Sequence, residues 1–413
     1  MLFTARAYNG MVVTPHRLAS EAGITILRKG GNAVEAAVAA AAALCVVYPH
    51  MTGLGGDAVW LVLPAAEAEE GGHPFVIDAC GRSAGLACET WYTERGHNHI
   101  PTRGPAAAMT LAGAVSGWQA ALEAAATWQN QGNSLSLGEL FEDAIKLAED
   151  GFPLSTGQST ITFDVLHELS NYPGFARTFL LHGKSPGKGR RLRLPALAHT
   201  LSRLAAEGLD SFYRGALAKE MATDLEQAGS PLRIADFEKH KALLRSALST
   251  NCFGATLYNS PPPTQGVASL MILALVERLT TNARCNLHDE TSLIHATVEA
   301  TKEAFALRNR FLADPEYMER EAESLLDPAL LDKLAGKMSP DMAKSWPYTG
   351  SAGGDTVWLG VMDRMGNSVS VIQSIYHEFG SGLVLPRSGV LWHNRGLGFV
   401  FEKGHANSLA PNK

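Results

Sequence analysis

The chain has 413 residues, 46% of them hydrophobic and 18% charged, with a formal net charge of -6. Such a length and composition exclude a disordered chain and suit a folded α/β protein with a substantial core. The small negative charge gives no basis for a nucleic-acid or anionic-membrane partner, which leaves a small molecule as the expected ligand.

The N-terminal stretch MLFTARAYNGMVV lacks a basic region followed by an apolar one, so a cytoplasmic location is expected. Cys45, Cys80, Cys88, Cys252 and Cys285 are scattered, without CxxC spacing or a histidine cluster, and neither disulfides, a metal nor another cofactor is expected. A helix is predicted from about His16 to Lys29, stopped by Gly30 and Gly31. Asn32 then caps an alanine-rich helix from Ala33 to about Val46, ended by Pro49. The apolar run Ala36 to Val47 is shorter than the roughly 20 residues of a membrane span and reads as a buried, close-packed helix.

The turn Gly53-Leu54-Gly55-Gly56-Asp57 feeds a predicted strand, Ala58 to Leu63, and Phe75 to Ile77 is a second. From Ala106 to Leu312 the pattern is mostly helical, with segments at Leu137–Glu149, Pro195–Glu207, Ala216–Ala228 and Thr291–Leu312. A proline- and glycine-bearing linker, Ser345 to Asp355, marks a boundary between residues 1–355 and 356–413. Beyond it, Thr356–Met362 and Ser368–Ile375 form a predicted hairpin around Asp363-Arg364-Met365-Gly366-Asn367, and Leu383–Leu385 and Val390–Trp392 are expected to continue the sheet.

Several familiar chemistries are missing from this pattern. Gly183-Lys184-Ser185 has Thr178 where a phosphate loop requires glycine, and Gly53 to Gly56 precede a strand where a dinucleotide loop follows one. Those glycines instead allow close backbone approach. Neither HExxH nor GxSxG occurs. Thr356, by contrast, opens a strand directly after the linker. Once the preceding bond is cut, its own α-amine, titrating near about 7.7 to 8.0, can serve as base for its hydroxyl. A strand threonine is ordinarily structural, because β-branched residues suit sheets.

The wider sequence favours the catalytic reading. Met11 to Gly56, Leu140 to Phe152 (LFEDAIKLAEDGF), Phe212 to Ala216 (FYRGA), Pro261 to Gly266 (PPPTQG), Glu299 to Pro315 (EATKEAFALRNRFLADP) and Gly353 to Gly382 together resemble the gamma-glutamyltransferase family almost from end to end. The resemblance implies an N-terminal nucleophile hydrolase fold, a four-layer αββα sandwich made as a proenzyme. Self-cleavage between Asp355 and Thr356 would yield large and small fragments that stay associated, with homo-oligomerisation left open. It further implies that Thr356 is the nucleophile, acting on a small-molecule amide, and that Ser374 supports it.

The chain also departs from the family pattern. Val357 and Trp358 stand where the family has threonine and histidine, and its substrate-holding places are occupied here by Cys80, Tyr376, Arg395 and Gly398. An ammonium group buried there without a carboxylate is costly. Arg82 and Arg395 instead offer guanidinium groups suited to a carboxylate, making Arg82, Tyr376 and Arg395 the candidate substrate contacts. The run Tyr376-His377-Glu378-Phe379-Gly380, with Asp355-Thr356, resembles the oxamate amidohydrolase branch. Family small subunits continue into a serine-bearing loop, a Gly-Gly oxyanion hole and further strands. A sandwich incomplete at the C-terminus is therefore expected. The readings are a hydrolase or acyltransferase for gamma-glutamyl or related amides, an amidohydrolase for a small acid amide such as oxamate, and an inactive truncated member.

Overall fold

The computed structural model describes residues 4–65, 72–126, 128, 134–346 and 356–413. Asp355, one side of the expected cleavage bond, lies outside the described residues. The elements used below are, in chain order, β1 (Gly10–Val13), α1 (Arg17–Arg28), α2 (Ala33–Val47), β2 (Asp57–Leu63), β3 (Phe75–Ala79), α3 (Leu137–Asp150) and α4 (Pro195–Glu207). They continue with β4 (Leu243–Ser246), β5 (Leu248–Cys252), β6 (Ala255–Asn259), α5 (Gly266–Thr281), α6 (Glu290–Phe311), α7 (Pro328–Lys337), β7 (Val357–Asp363) and β8 (Ser368–Ser374).

Helix α2 forms where the sequence predicts it, and its N-terminus shows why. Asn32 Oδ1 accepts from Glu35 N, and Glu35 Oε2 accepts from Asn32 N, each at 2.9 Å, a reciprocal cap that satisfies two otherwise orphaned donors. All 15 residues of α2 are buried. Its alanines let α1, α3 and the sheet pack close to its axis.

The main sheet has six strands in the order β1, β7, β8, β2, β3, β4, every neighbouring pair antiparallel. Strands after the linker are thus inserted between strands before it, so the expected boundary near residue 355 does not divide the sheet. Alternation in β7 buries Val357, Leu359 and Val361 on the α2 side. Trp358 and Met362, with Ile372 of β8, point the other way and are about half exposed. The β7–β8 turn is held by Asp363, whose Oδ1 accepts from Met365 N at 2.9 Å and Asn367 N at 3.0 Å. Its Oδ2 accepts from Ala33 N at 3.0 Å, placing a carboxylate at the N-terminus of α2.

Two expectations are corrected. Leu383–Leu385 and Val390–Trp392 do not continue the sheet. They make only isolated bridges, Val384 with Leu391 and Gly55 with Trp392, because this loop packs over the glycine turn instead of along an edge. The stretch predicted as helical between residues 106 and 312 also contains β4, β5 and β6, with β4 closing one edge of the main sheet. A second hydrophobic core, including Leu270, Met271, Ala274, Ala300, Ala304, Leu325 and Leu331, packs α5, α6 and α7 against the β5–β6 hairpin. Among the described residues, no helix is long and apolar enough to cross a membrane.

Candidate active site

Strand register brings four residues into one row. Gln373 pairs with Val357, which puts Ser374 beside Thr356; Ser374 pairs with Asp57; and Ala58 pairs with Ala79, which puts Asp57 beside Cys80. Thr356, Ser374, Asp57 and Cys80 therefore cross the ends of β7, β8, β2 and β3, with neighbours spaced by about 4.8 Å in a sheet. The Thr356 hydroxyl donates to Ser374 Oγ at 3.2 Å, and Tyr376 N donates to the same oxygen at 2.9 Å. Beneath them Gln373 is buried, donating to Thr52 Oγ1 and accepting from Trp118 Nε1, both at 2.9 Å, which fixes the end of β8.

Beyond Ser374 the chain turns sharply. Tyr376 and Phe379 have φ of +77° and +57°, left-handed conformations uncommon for such residues. Arg103 clamps this turn by donating to the carbonyls of Glu378, at 2.7 Å, and Gly380, while its Nε lies 3.0 Å from Glu168 Oε2.

Asp57 is the electrostatic hub. Its Oδ1 accepts from Gly81 N at 2.9 Å and Gly113 N at 3.2 Å, and its Oδ2 accepts from Arg395 Nε and lies 3.2 Å from His393 Nδ1. Burial by itself raises the carboxyl's pKa, but Arg395, His393 and the Gly81 N–H hold it well below the usual carboxylate range. Arg395 also donates through Nη2 to Gly81 O, leaving Nη1 outside the hydrogen bonds made by the described residues. This packing needs the glycine turn. A Cβ on Gly55 would lie 2.2 Å from Leu391 O, and one on Gly56 would lie 2.3 Å from Ser374 O. The predicted close backbone approach is therefore real.

A cavity of about 1580 Å³ opens over the row, lined by Thr356 and by all four positions where the sequence departs from the family pocket, Cys80, Tyr376, Arg395 and Gly398. Arg82 lines it too, but its guanidinium reaches Glu316 Oε1 at 2.8 Å and Asp314 Oδ2 at 3.4 Å. Burial, with Asp78 and Asp57 nearby, pushes the Cys80 thiol's pKa well above its ordinary value, which disfavours the thiolate. Every carboxylate lining the cavity already has partners. Asp78 pairs with Arg245 at 3.2 Å, Asp314 with Arg82, and Asp236 accepts from Gly85 N at 2.8 Å and Arg233 N at 2.7 Å. Sequence reasoning missed Asp57, whose role comes from Arg395, 338 positions away. It also missed Arg308 on the opposite wall, although Arg308 lies within a stretch that carries the resemblance and Asp57 directly follows another.

A family model described as gamma-glutamyltranspeptidase matches residues 19–413. The chain is 47% identical over 406 residues to the oxamate amidohydrolase proenzyme of Klebsiella pneumoniae subsp. pneumoniae, covering 98% of this chain and 74% of that protein. It is 37% identical to the glutathione hydrolase-like YwrD proenzyme of Bacillus subtilis, with the same coverage of 98% and 74%. The crystal structure of a cephalosporin acylase from Bacillus halodurans matches all of this chain and 75% of its own, at 29% identity and a TM-score of 0.88.

Proposed function

Because the chain belongs to the gamma-glutamyltranspeptidase family of N-terminal nucleophile hydrolases, we propose that it is a self-processing amidohydrolase for a small amide that carries a carboxylate and no ammonium group, with oxamate as the reference substrate. In processing, the Thr356 hydroxyl attacks the Asp355 carbonyl, the acyl group moves from nitrogen to oxygen, and water opens the ester. The freed α-amine of Thr356 then takes the hydroxyl proton, directly or through water, as the oxygen attacks the substrate amide. Nitrogen leaves with that proton, and water hydrolyses the acyl-enzyme. Ser374 accepts the hydrogen bond that orients the Thr356 oxygen, and Tyr376 borders the bound acyl group.

The observation that carries this reading is the charge of the cavity. Its carboxylates are already engaged by cations or N–H groups, while Arg395, beside the Thr356–Ser374–Asp57 row, keeps Nη1 for an incoming acid. A gamma-glutamyl substrate would bring an α-ammonium into this site without a partner, a penalty of about 3 kcal/mol or roughly 100-fold. The identity with an oxamate amidohydrolase proenzyme supports the choice of acid amide, and the several relatives named as proenzymes support a catalytic reading over an inactive one. Mass spectrometry of purified chain, followed by kinetics on oxamate and on a gamma-glutamyl anilide, tests both halves. A fragment beginning at Thr356 and a kcat/KM at least 100-fold higher for oxamate are expected. An intact chain after long incubation defeats the processing step, and a preference for the gamma-glutamyl compound defeats the substrate assignment.

A further inference from the structure

The cavity is far larger than a substrate the size of oxamate requires, and its two walls belong to different cores. Thr356, Tyr376, Cys80 and Arg395 stand on the main-sheet side. Gln265, Ala306, Arg308, Asn309 and Arg310 come from the start of α5 and the last turns of α6, which pack in the second core.

Arg308 differs from the other half-buried guanidinium groups of this cavity. Arg82, Arg245 and Arg395 each face a carboxylate. Among the described residues Arg308 has none. Its Nη1 donates to Gln265 Oε1 at 2.7 Å, and its Nε and Nη2 both donate to Asn309 Oδ1, at 2.9 and 2.7 Å. The guanidinium lies over the Phe305 ring, 3.7 Å from its centroid. Neutral amides and an aromatic face thus orient the group without cancelling its charge, and partial burial shifts its pKa downward. A guanidinium has five N–H bonds, so these three hydrogen bonds leave two available. A half-buried, oriented guanidinium with no carboxylate partner among the described residues matches a planar carboxylate.

We propose that Arg308, held by Gln265 and Asn309, is a second anion subsite, and that the preferred substrate is an N-substituted amide whose amine half carries a carboxylate. This rests on the reading that Arg395 holds the acid of the acyl half. The scissile carbonyl then sits at Thr356 between two guanidinium anchors, one on each wall. An unsubstituted amide, which releases only ammonia, uses half of this site.

The experiment compares hydrolysis of the N-oxalyl derivatives of glycine, β-alanine and 4-aminobutyrate with that of N-propyl oxamate, using the processed protein. At least one oxalyl amino acid is expected to exceed N-propyl oxamate tenfold in kcat/KM, the favoured tether reporting the spacing of the anchors. Arg308→Gln should bring that ratio to within twofold of unity. Lys333→Gln, which removes an exposed charge of α7 outside the cavity lining, should leave it within twofold of wild type. Calorimetry with wild-type chain gives a readout independent of turnover: one of glutarate, adipate and pimelate should bind at least tenfold tighter than the monocarboxylate of equal length. Loss of all oxamate hydrolysis with this dicarboxylate preference intact would overturn the reaction assignment and keep the two-anion site. Equal binding of mono- and dicarboxylates, or a turnover preference that survives Arg308→Gln, overturns the subsite itself.

Discussion

Replacing Asp57 by asparagine isolates the charge at the centre of the site. The side chain is 8% exposed and that of its partner Arg395 is 27% exposed, so loss of the carboxylate leaves a largely buried guanidinium uncompensated. Breaking such a pair costs about 3–5 kcal/mol. Asparagine still presents an oxygen to Gly81 N and Gly113 N, which places the expected cost at the lower end, about 3 kcal/mol or roughly 100-fold in the folding equilibrium. Urea denaturation followed by tryptophan fluorescence reads the relevant core, because Trp60, Trp118 and Trp392 are all fully buried there. The folded-state pKa of Asp57 is depressed, so its contribution is fully present above the unfolded value near 4 and is lost as pH falls through the lower folded value. The gap between wild type and Asp57→Asn should therefore hold from pH 8 to pH 5 and shrink below about pH 4. Combining Asp57→Asn with Arg395→Leu should recover most of the loss, since no charge is then stranded. A cost below about 1 kcal/mol at pH 7, or a double variant worse than the sum of its parts, would refute this account.

Other outcomes follow from the same geometry. Ser374→Ala removes the acceptor 3.2 Å from the Thr356 hydroxyl and should lower kcat about tenfold at nearly constant KM, as measured by steady-state kinetics on processed enzyme. Gly55→Ala, which drives a Cβ to 2.2 Å from Leu391 O, should destabilise by about 3 kcal/mol in the same urea titration. Gly96→Ala has nothing within 4 Å of its new Cβ and should cost only about 1 kcal/mol, for its φ of +81°. Arg82→Ala breaks ion pairs whose side chains are 41% and 65% exposed for Arg82 and Glu316, so stability should fall by less than about 1 kcal/mol and KM by no more than threefold in either direction. A tenfold rise in KM would instead make Arg82 a direct substrate contact.

The legible parts of the fold are those written locally. Asn32 and Glu35 announce α2, Pro195 and Gly208 bound α4, and Asp363 to Asn367 announce the hairpin, because caps and turns are made by neighbours in sequence. Strands β4 to β6 were hidden because they are short, largely exposed and interleaved with serine, threonine and asparagine, so neither period stands out. The segments Leu383–Leu385 and Val390–Trp392 have strand-like composition, yet their burial comes from lying on the glycine turn. The site divides in the same way. Thr356 stands out because a linker precedes it, whereas Asp57 gains its meaning only from strand register and from Arg395, and Arg308 only from a cavity between two cores.

That cavity is a seam, and its stitching is partly ionic. Arg82, next to β3, reaches across to Asp314 and Glu316 beyond the end of α6, and Lys413 lies over the Tyr317 ring with its nitrogen 4.2 Å from the centroid. Mobile counterions weaken such half-exposed contacts while leaving both apolar cores intact. Added salt is therefore expected to loosen the ties between the two walls before it touches either core, within the small bound set by Arg82→Ala.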